Sequence, residues 1–221
     1  MAESPNDTPH LSPTEIIDLY KSEFGAGILD ARITERGEGV QKTKGYNIWI
    51  RVDRHLLKPA IKKLMDIRFP HFAVIAGNDL GEEIELLYIL SVFYGTKFGE
   101  YMITFGIRLP KTDLTVPTIT DLIPGALVSE REKQEFFGIT VTDIPDGRRI
   151  FLPDEFPQGV YSWRKDETGI KPEMVRELWT IDRPKDRPAP PVPEKKPVQD
   201  EPAPSSFFDL LQRPQPFVRR D

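Results

Sequence analysis

The sequence predicts an α+β fold: an antiparallel or mixed sheet with helices on one face, followed by extended loops and a disordered Pro-rich C-terminal tail. Three observations predict it. Segments with helical and strand periodicity follow one another in the order α-β-β-α-β-β-β through the first half of the chain. The last three strand segments are joined by short loops, which favours antiparallel neighbours. Residues 182–204 hold eight Pro among many charges, a composition that cannot pack a core.

Each element has a local cause. Residues 1–11 are polar and read as a flexible N-terminus. Ser12-Pro13-Thr14-Glu15 opens a helix with a Ser cap, Pro at the first position and Glu at the third. Ile16, Leu19, Tyr20 and Phe24 then recur at helical spacing, and Gly25 and Gly27 end the run. Residues 28–35 and 46–52 read as strands around a Gly-rich turn. Asp53 caps a second helix whose stripe is Leu56, Leu57, Ala60, Ile61, Leu64 and Met65, with Pro70 beyond its end. Strands follow over 72–76, 83–94 and 101–109, the first two separated by a turn at 77–81. Residues 110–125 read as a Thr- and Pro-punctuated connector, 126–137 as a helix stopped by Gly138, and 139–169 as extended chain of little periodicity. The expected organisation is a flexible N-terminus over 1–11, an α+β domain with a charged helix over 12–140, an extended partner-wrapping segment over 141–181, a linker over 182–204, and a docking motif over 205–221.

Composition narrows the chemistry. The 221 residues include no Cys, so disulfides, thiolate zinc sites and Cys-ligated iron–sulfur clusters are excluded within the chain. His10, His55 and His71 lack partners at ligand spacing and read as ordinary surface or half-buried side chains. The net charge is −5, and the basic residues come in pairs rather than patches, which argues against nucleic acid as a partner. No apolar run is long enough for a membrane helix, and the acidic N-terminus lacks the apolar stretch of a signal peptide. Any membrane link is expected to run through partner subunits.

Polar residues crowd into three stretches. The first is the helix around Glu130, Arg131, Glu132, Lys133, Gln134 and Glu135, where Arg131 and Glu135 are spaced to pair for about 0.2–0.5 kcal/mol. Alone it reads as a solvated charged face. An acid–base reading with Glu130, Glu132 and Asp166 lacks a nucleophile, a metal partner and a phosphate-cradling Gly loop. The second stretch is the Pro145-Asp146-Gly147 turn with Arg148 and Arg149, a pair suited to clamping carboxylates. The third joins Tyr161, Trp163, Arg164, Lys165 and Asp166, with Tyr, Trp and Arg being interface-enriched types; a loop packed on its own domain is the other reading. Beyond the linker, Phe207, Phe208, Leu210 and Leu211 form an apolar cluster, either a docking motif that orders on a partner or a sticky tail.

The stretch 123–166 resembles the signature region of the complex I 30-kDa subunit family. The resemblance rests on Glu130-Arg131-Glu132, Glu135, Phe137-Gly138-Ile139, Pro145-Asp146, Arg148-Arg149, Leu152-Pro153-Asp154 and Arg164-Lys165-Asp166 in that order. The α+β pattern of residues 12–110 also fits. Asp143-Ile144 stand where the family commonly has Gly-His, and Gly147 where Leu is frequent. Residues 157–161 look closer to the homologous subunits of energy-converting [NiFe] hydrogenases. The resemblance implies a cofactor-free, non-catalytic scaffold subunit in the hydrophilic arm of a membrane-bound oxidoreductase, peripheral on the cytoplasmic side. It implies partners in a large 49-kDa-like or hydrogenase-large-like subunit and in iron–sulfur subunits. It leaves open NADH, ferredoxin or formate as donor and quinone or protons as acceptor. The expected docking residues are Glu130, Arg131, Glu132, Glu135, Arg148, Arg149, Tyr161, Trp163, Arg164, Lys165, Asp166 and the tail cluster, facing a partner or bracing loops that do. A free-standing adaptor using its tail is the alternative.

Overall fold

A computed structural model describes residues 10–38, 43–95, 99–153, 156–171 and 174. The expected linker 182–204 and the tail cluster Phe207, Phe208, Leu210 and Leu211 lie outside the described residues.

Helix α1 (Pro13–Phe24) starts at the predicted capping box: Ser12 Oγ accepts from the Glu15 N–H, and the Glu15 carboxylate accepts from the Ser12 N–H at 2.8 Å. It buries Ile16, Ile17 and Tyr20. Strands β1 (Ile28–Glu38) and β2 (Thr43–Val52) form an antiparallel hairpin. Asp53 caps a single tight turn, Arg54–Leu56, which runs into α2 (Leu57–Ile67). The Tyr20 hydroxyl donates to the Ala60 carbonyl at 2.8 Å, tying α1 to α2.

Strands β3 (His71–Asp79), β4 (Glu83–Val92) and β5 (Tyr101–Pro110) form the expected antiparallel meander. β5 then lies parallel to β2, so the five-stranded sheet is mixed, in the order β1-β2-β5-β4-β3. β3 runs further than the sequence suggests. Gly77 reads as a turn residue, yet it pairs with Leu86 inside the strand, and its missing side chain makes room for the Phe137 ring. β4 stops before its predicted end because Phe93 takes a positive φ of 60°.

Alternation divides the sheet faces. Ile48, Ile50, Tyr88, Leu90, Ile103 and Phe105 face α1 and α2 and build the main core, to which Ile123, Ala126 and Phe137 also belong. The connector holds a strand the sequence did not reveal: β6 (Thr115–Pro117) pairs in parallel with β7 (Thr140–Thr142), and α3 (Leu127–Phe137) bridges them. Three residues are too few to show a period. Within the N-terminal segment, His10 rests on the rings of Phe93 and Tyr101, at 4.6 and 5.3 Å.

Candidate docking site

Helix α3 is not the solvated face its composition suggests. Glu130 is 1% exposed, Lys133 3% and Glu135 8%. A charged group buried that deeply must be paired or hydrogen-bonded, and each of these is. The Glu130 carboxylate accepts from the Thr118 hydroxyl at 2.6 Å and the Ile119 N–H at 2.7 Å, fastening α3 to the loop after β6. Burial nonetheless raises its pKa above the ordinary Glu value, outweighing those hydrogen bonds. Lys133 reaches Glu132 at 2.5 Å and stands 4.6 Å over the Trp163 ring, and burial lowers its pKa.

Arg131 and Glu135 both turn to the chain after β7. Arg131 clamps the Asp146–Arg149 turn: Nε donates to the Arg148 carbonyl at 2.6 Å, one terminal nitrogen to the Arg149 carbonyl at 3.2 Å, and the other to Asp146 at 3.2 Å. The Arg148 guanidinium bonds Asp146 at 2.8 and 2.9 Å and holds that carboxyl well below the usual range. The Glu135 carboxylate sits in a nest of three successive backbone donors, from Ile150, Phe151 and Leu152, the last at 2.8 Å. Arg149 donates onward to the Phe156 carbonyl at 3.1 Å.

The next stretch is strapped down in the same way. Trp163 N–H donates to the Phe136 carbonyl at 3.1 Å, and Arg164 Nε to the Phe137 carbonyl at 2.8 Å. These are C-terminal carbonyls of α3, which its own backbone cannot satisfy. The Arg164 guanidinium stacks 4.4 Å from the Tyr161 ring centroid. Tyr161 in turn covers Gly138, the left-handed cap of α3 (φ 68°). Lys165 N–H donates to the Asp79 carboxylate at 2.8 Å, and its ammonium to the Asp79 carbonyl at 2.9 Å. Lys111 joins Asp79 at 2.9 Å to Asp166 at 2.5 Å. Sequence reasoning missed Asp79 and Lys111, which lie 32 residues from each other and 86 and 55 residues from their partners Lys165 and Asp166.

Large apolar side chains stay on the surface of this stretch. Phe151, Phe136 and Trp163 form a continuous aromatic strip, with Phe136 centred 5.6 Å from Phe151 and 4.5 Å from Trp163. Phe151 is 49% exposed and Trp163 42%, and Ile150 beside them is exposed. The Arg148 side chain projects into solvent. Glu130 and Asp166, which an acid–base reading would need, are both spent on internal partners. Neither of two open clefts, of about 540 and 470 Å³, is lined by them. Among the described residues no three His, Asp or Glu gather to hold a metal, and no helix is long and apolar enough to cross a membrane.

The arrangement defines a class of protein: an α+β body that holds an otherwise irregular strap rigid and displays an aromatic surface on it. Residues 50–173 match the family described as respiratory-chain NADH dehydrogenase, 30 Kd subunit, and the chain belongs to that family. The membrane-bound hydrogenase subunit beta of Pyrococcus furiosus is 32% identical over 162 residues, covering 72% of this chain and 92% of that protein. NADH-quinone oxidoreductase subunit 5 of Thermus thermophilus is 30% identical over 62% of this chain and 73% of its own length. Formate hydrogenlyase subunit 5 of Escherichia coli is 34% identical over 97 residues, 16% of that longer protein. A chain in the structure of the membrane-bound sulfane sulfur reductase, an archaeal respiratory membrane complex, superposes with a TM-score of 0.57 over 80% of this chain and 98% of its own at 24% identity, a likeness of fold.

Proposed function

We propose that this protein is a non-catalytic scaffold subunit in the hydrophilic arm of a membrane-bound, complex I-like oxidoreductase, peripheral on the cytoplasmic side. It docks on the large 49-kDa-like or hydrogenase-large-like subunit and holds iron–sulfur subunits in register. The observation that carries the reading is the aromatic strip Phe151–Phe136–Trp163, half exposed on backbone that Arg131, Glu135 and Arg164 fix in place. Aromatic side chains on a preorganised surface supply binding energy without an ordering cost. The names of the relatives, subunits of a membrane-bound hydrogenase and of an NADH-quinone oxidoreductase, support the kind of assembly. In this reading the buried charged residues shape the docking surface, and Arg148 stands at its rim.

The test is extraction of the tagged chain from its own host's membranes in mild detergent. Wild type is expected to carry the other subunits in fixed stoichiometry. Phe151→Ser leaves the free subunit's melting temperature within a few degrees and weakens assembly by about 2 kcal/mol or more. A chain that purifies alone, or a Phe151→Ser variant that assembles like wild type, sinks the proposal.

A further inference from the structure

The five-stranded sheet ends on β1 at one edge and on β3 at the other. An edge strand turns alternate backbone N–H and C=O groups outward, where another extended chain can pair with them. Natural sheets guard such edges with charged side chains. β1 does so with Asp30, Arg32 and Glu35. β3 does not: residues 71–78 read His-Phe-Ala-Val-Ile-Ala-Gly-Asn, with no Asp, Glu, Lys or Arg. Among the described residues, the backbone groups of 71–78 that face away from β4 have no hydrogen-bond partner. Ala73 and Val74 are exposed. Phe69, just before the strand, is 55% exposed, and Tyr94, just after β4, is 46% exposed with its ring edge-on to His71. A bulge at Ala73 interrupts the pairing with β4, but Val74–Asn78 keep their register, a run of ordinary strand length.

This edge is continuous with the aromatic strip. The Phe137 ring packs into the space left by the missing side chain of Gly77, and lies 5.5 Å from Trp163. The Lys165 N–H reaches the Asp79 carboxylate at the end of the same strand. A subunit seated on the strip is therefore brought alongside β3. We propose that the subunit docked on Phe151, Phe136 and Trp163 also adds a strand to β3, an extended segment of about five residues that carries no charge and no Pro. Main-chain hydrogen bonds attach it, and its apolar side chains meet Val74 and the exposed rings beyond. A charged side chain in that segment would lose water on an edge that offers no counter-charge, and Pro would remove a donor from the ladder. The strip holds the segment at high effective concentration, so a pairing too small to persist alone forms within the assembly. A second copy of this chain would have to build the roughly 1,200 Å² of a stable interface from this edge alone. The inference rests on the docking reading and deepens it: the partner is recognised through its backbone as well as by aromatic contact.

The test compares amide hydrogen exchange in the tagged complex, extracted from its own host's membranes, with exchange in the free full-length chain. The outward amides of residues 71–78 are expected to exchange at least about tenfold more slowly in the complex, while those of residues 30–35 in β1 do not change. Val74→Lys places a charge on the exposed edge. It is expected to leave the free chain's melting temperature within a few degrees, to abolish the added protection, and to lower recovery of the partner subunits at least about tenfold. Equal exchange at 71–78 in a complex that assembles normally overturns strand addition and leaves docking on the strip standing. Equal slowing of both edges reports a general stiffening and also overturns it. A chain that purifies alone sinks both readings. Slow exchange at 71–78 in the dilute free chain places the chain's own residues on the edge, and slowing that grows with concentration places a second copy there; either result overturns the proposal.

Discussion

Glu130 is the residue on which burial and hydrogen bonding pull hardest in opposite directions. Two donors hold the carboxylate in place, yet the loss of water raises its pKa. The sign for stability follows from linkage. Between the unfolded Glu value, about 4.3, and the raised folded value, the folded state keeps a proton that the unfolded chain has released. Stability therefore falls as pH rises through that window. Glu130→Gln keeps the acceptor for the Ile119 N–H and removes the charge. Denaturant midpoints from pH 4 to 7 are expected to move in favour of the variant as pH rises; a constant offset would contradict the assignment. Glu130→Ala strands the Ile119 and Thr118 donors and is expected to cost about 1–3 kcal/mol.

At the scale of the element, α3 depends on its C-terminal cap. Gly138 adopts a left-handed conformation, and a Cβ there would run into the Tyr161 ring. Gly138→Ala combines roughly 1–2 kcal/mol of backbone strain with displacement of the ring on which Arg164 stacks. The melting temperature is expected to fall by at least about 2 °C; an unchanged value would mean that the cap carries no load. Gly138 was legible in the sequence as a helix stop because it follows a run of helix formers. The capping box of α1, the stripe of α2 and the meander were legible for the same local reason. The inward turn of α3 was not. Glu130, Arg131 and Glu135 find their partners 11 to 18 residues away, on irregular backbone, where no spacing rule operates. Polarity alone therefore suggested a solvated face. β6 and β7 escaped because each is three residues long, and the end of β3 because its glycine serves packing rather than turning.

Across the whole molecule, the strap is closed by one ion cluster that joins its far end to the sheet. Asp79 ends β3, Lys111 follows β5, and Asp166 and Lys165 belong to the strap. Burial alone would raise the Asp79 pKa, but donors from Lys165, Gly81 and Lys111 overcome it and hold the group below its ordinary value. The Lys111 ammonium likewise holds Asp166 low. Burial opposes the charge on Lys111 too, and the two carboxylates outweigh it and raise its pKa. The depressed carboxylates contribute stability above the unfolded Asp value, about 3.9, and lose it as pH falls from there through their folded values. The raised lysine contributes fully below its unfolded value, about 10.4, and loses its contribution as pH rises through the folded one. The pin is therefore closed across the neutral range and opens at either extreme. Lys111→Met keeps the apolar stem and removes the charge, leaving the Asp79 and Asp166 carboxylates without the cation between them. At pH 7 chymotrypsin is expected to cut the variant at Tyr161 or Trp163 several-fold faster than wild type, while exchange protection of the β4 and β5 amides persists. The stability difference between the two proteins is expected to persist through mild acid and to shrink only as pH falls below the unfolded Asp value, about 3.9, which denaturant midpoints check. Equal cleavage at pH 7 would mean that the contacts of Arg164 and Trp163 to the end of α3 hold the strap without the ion cluster.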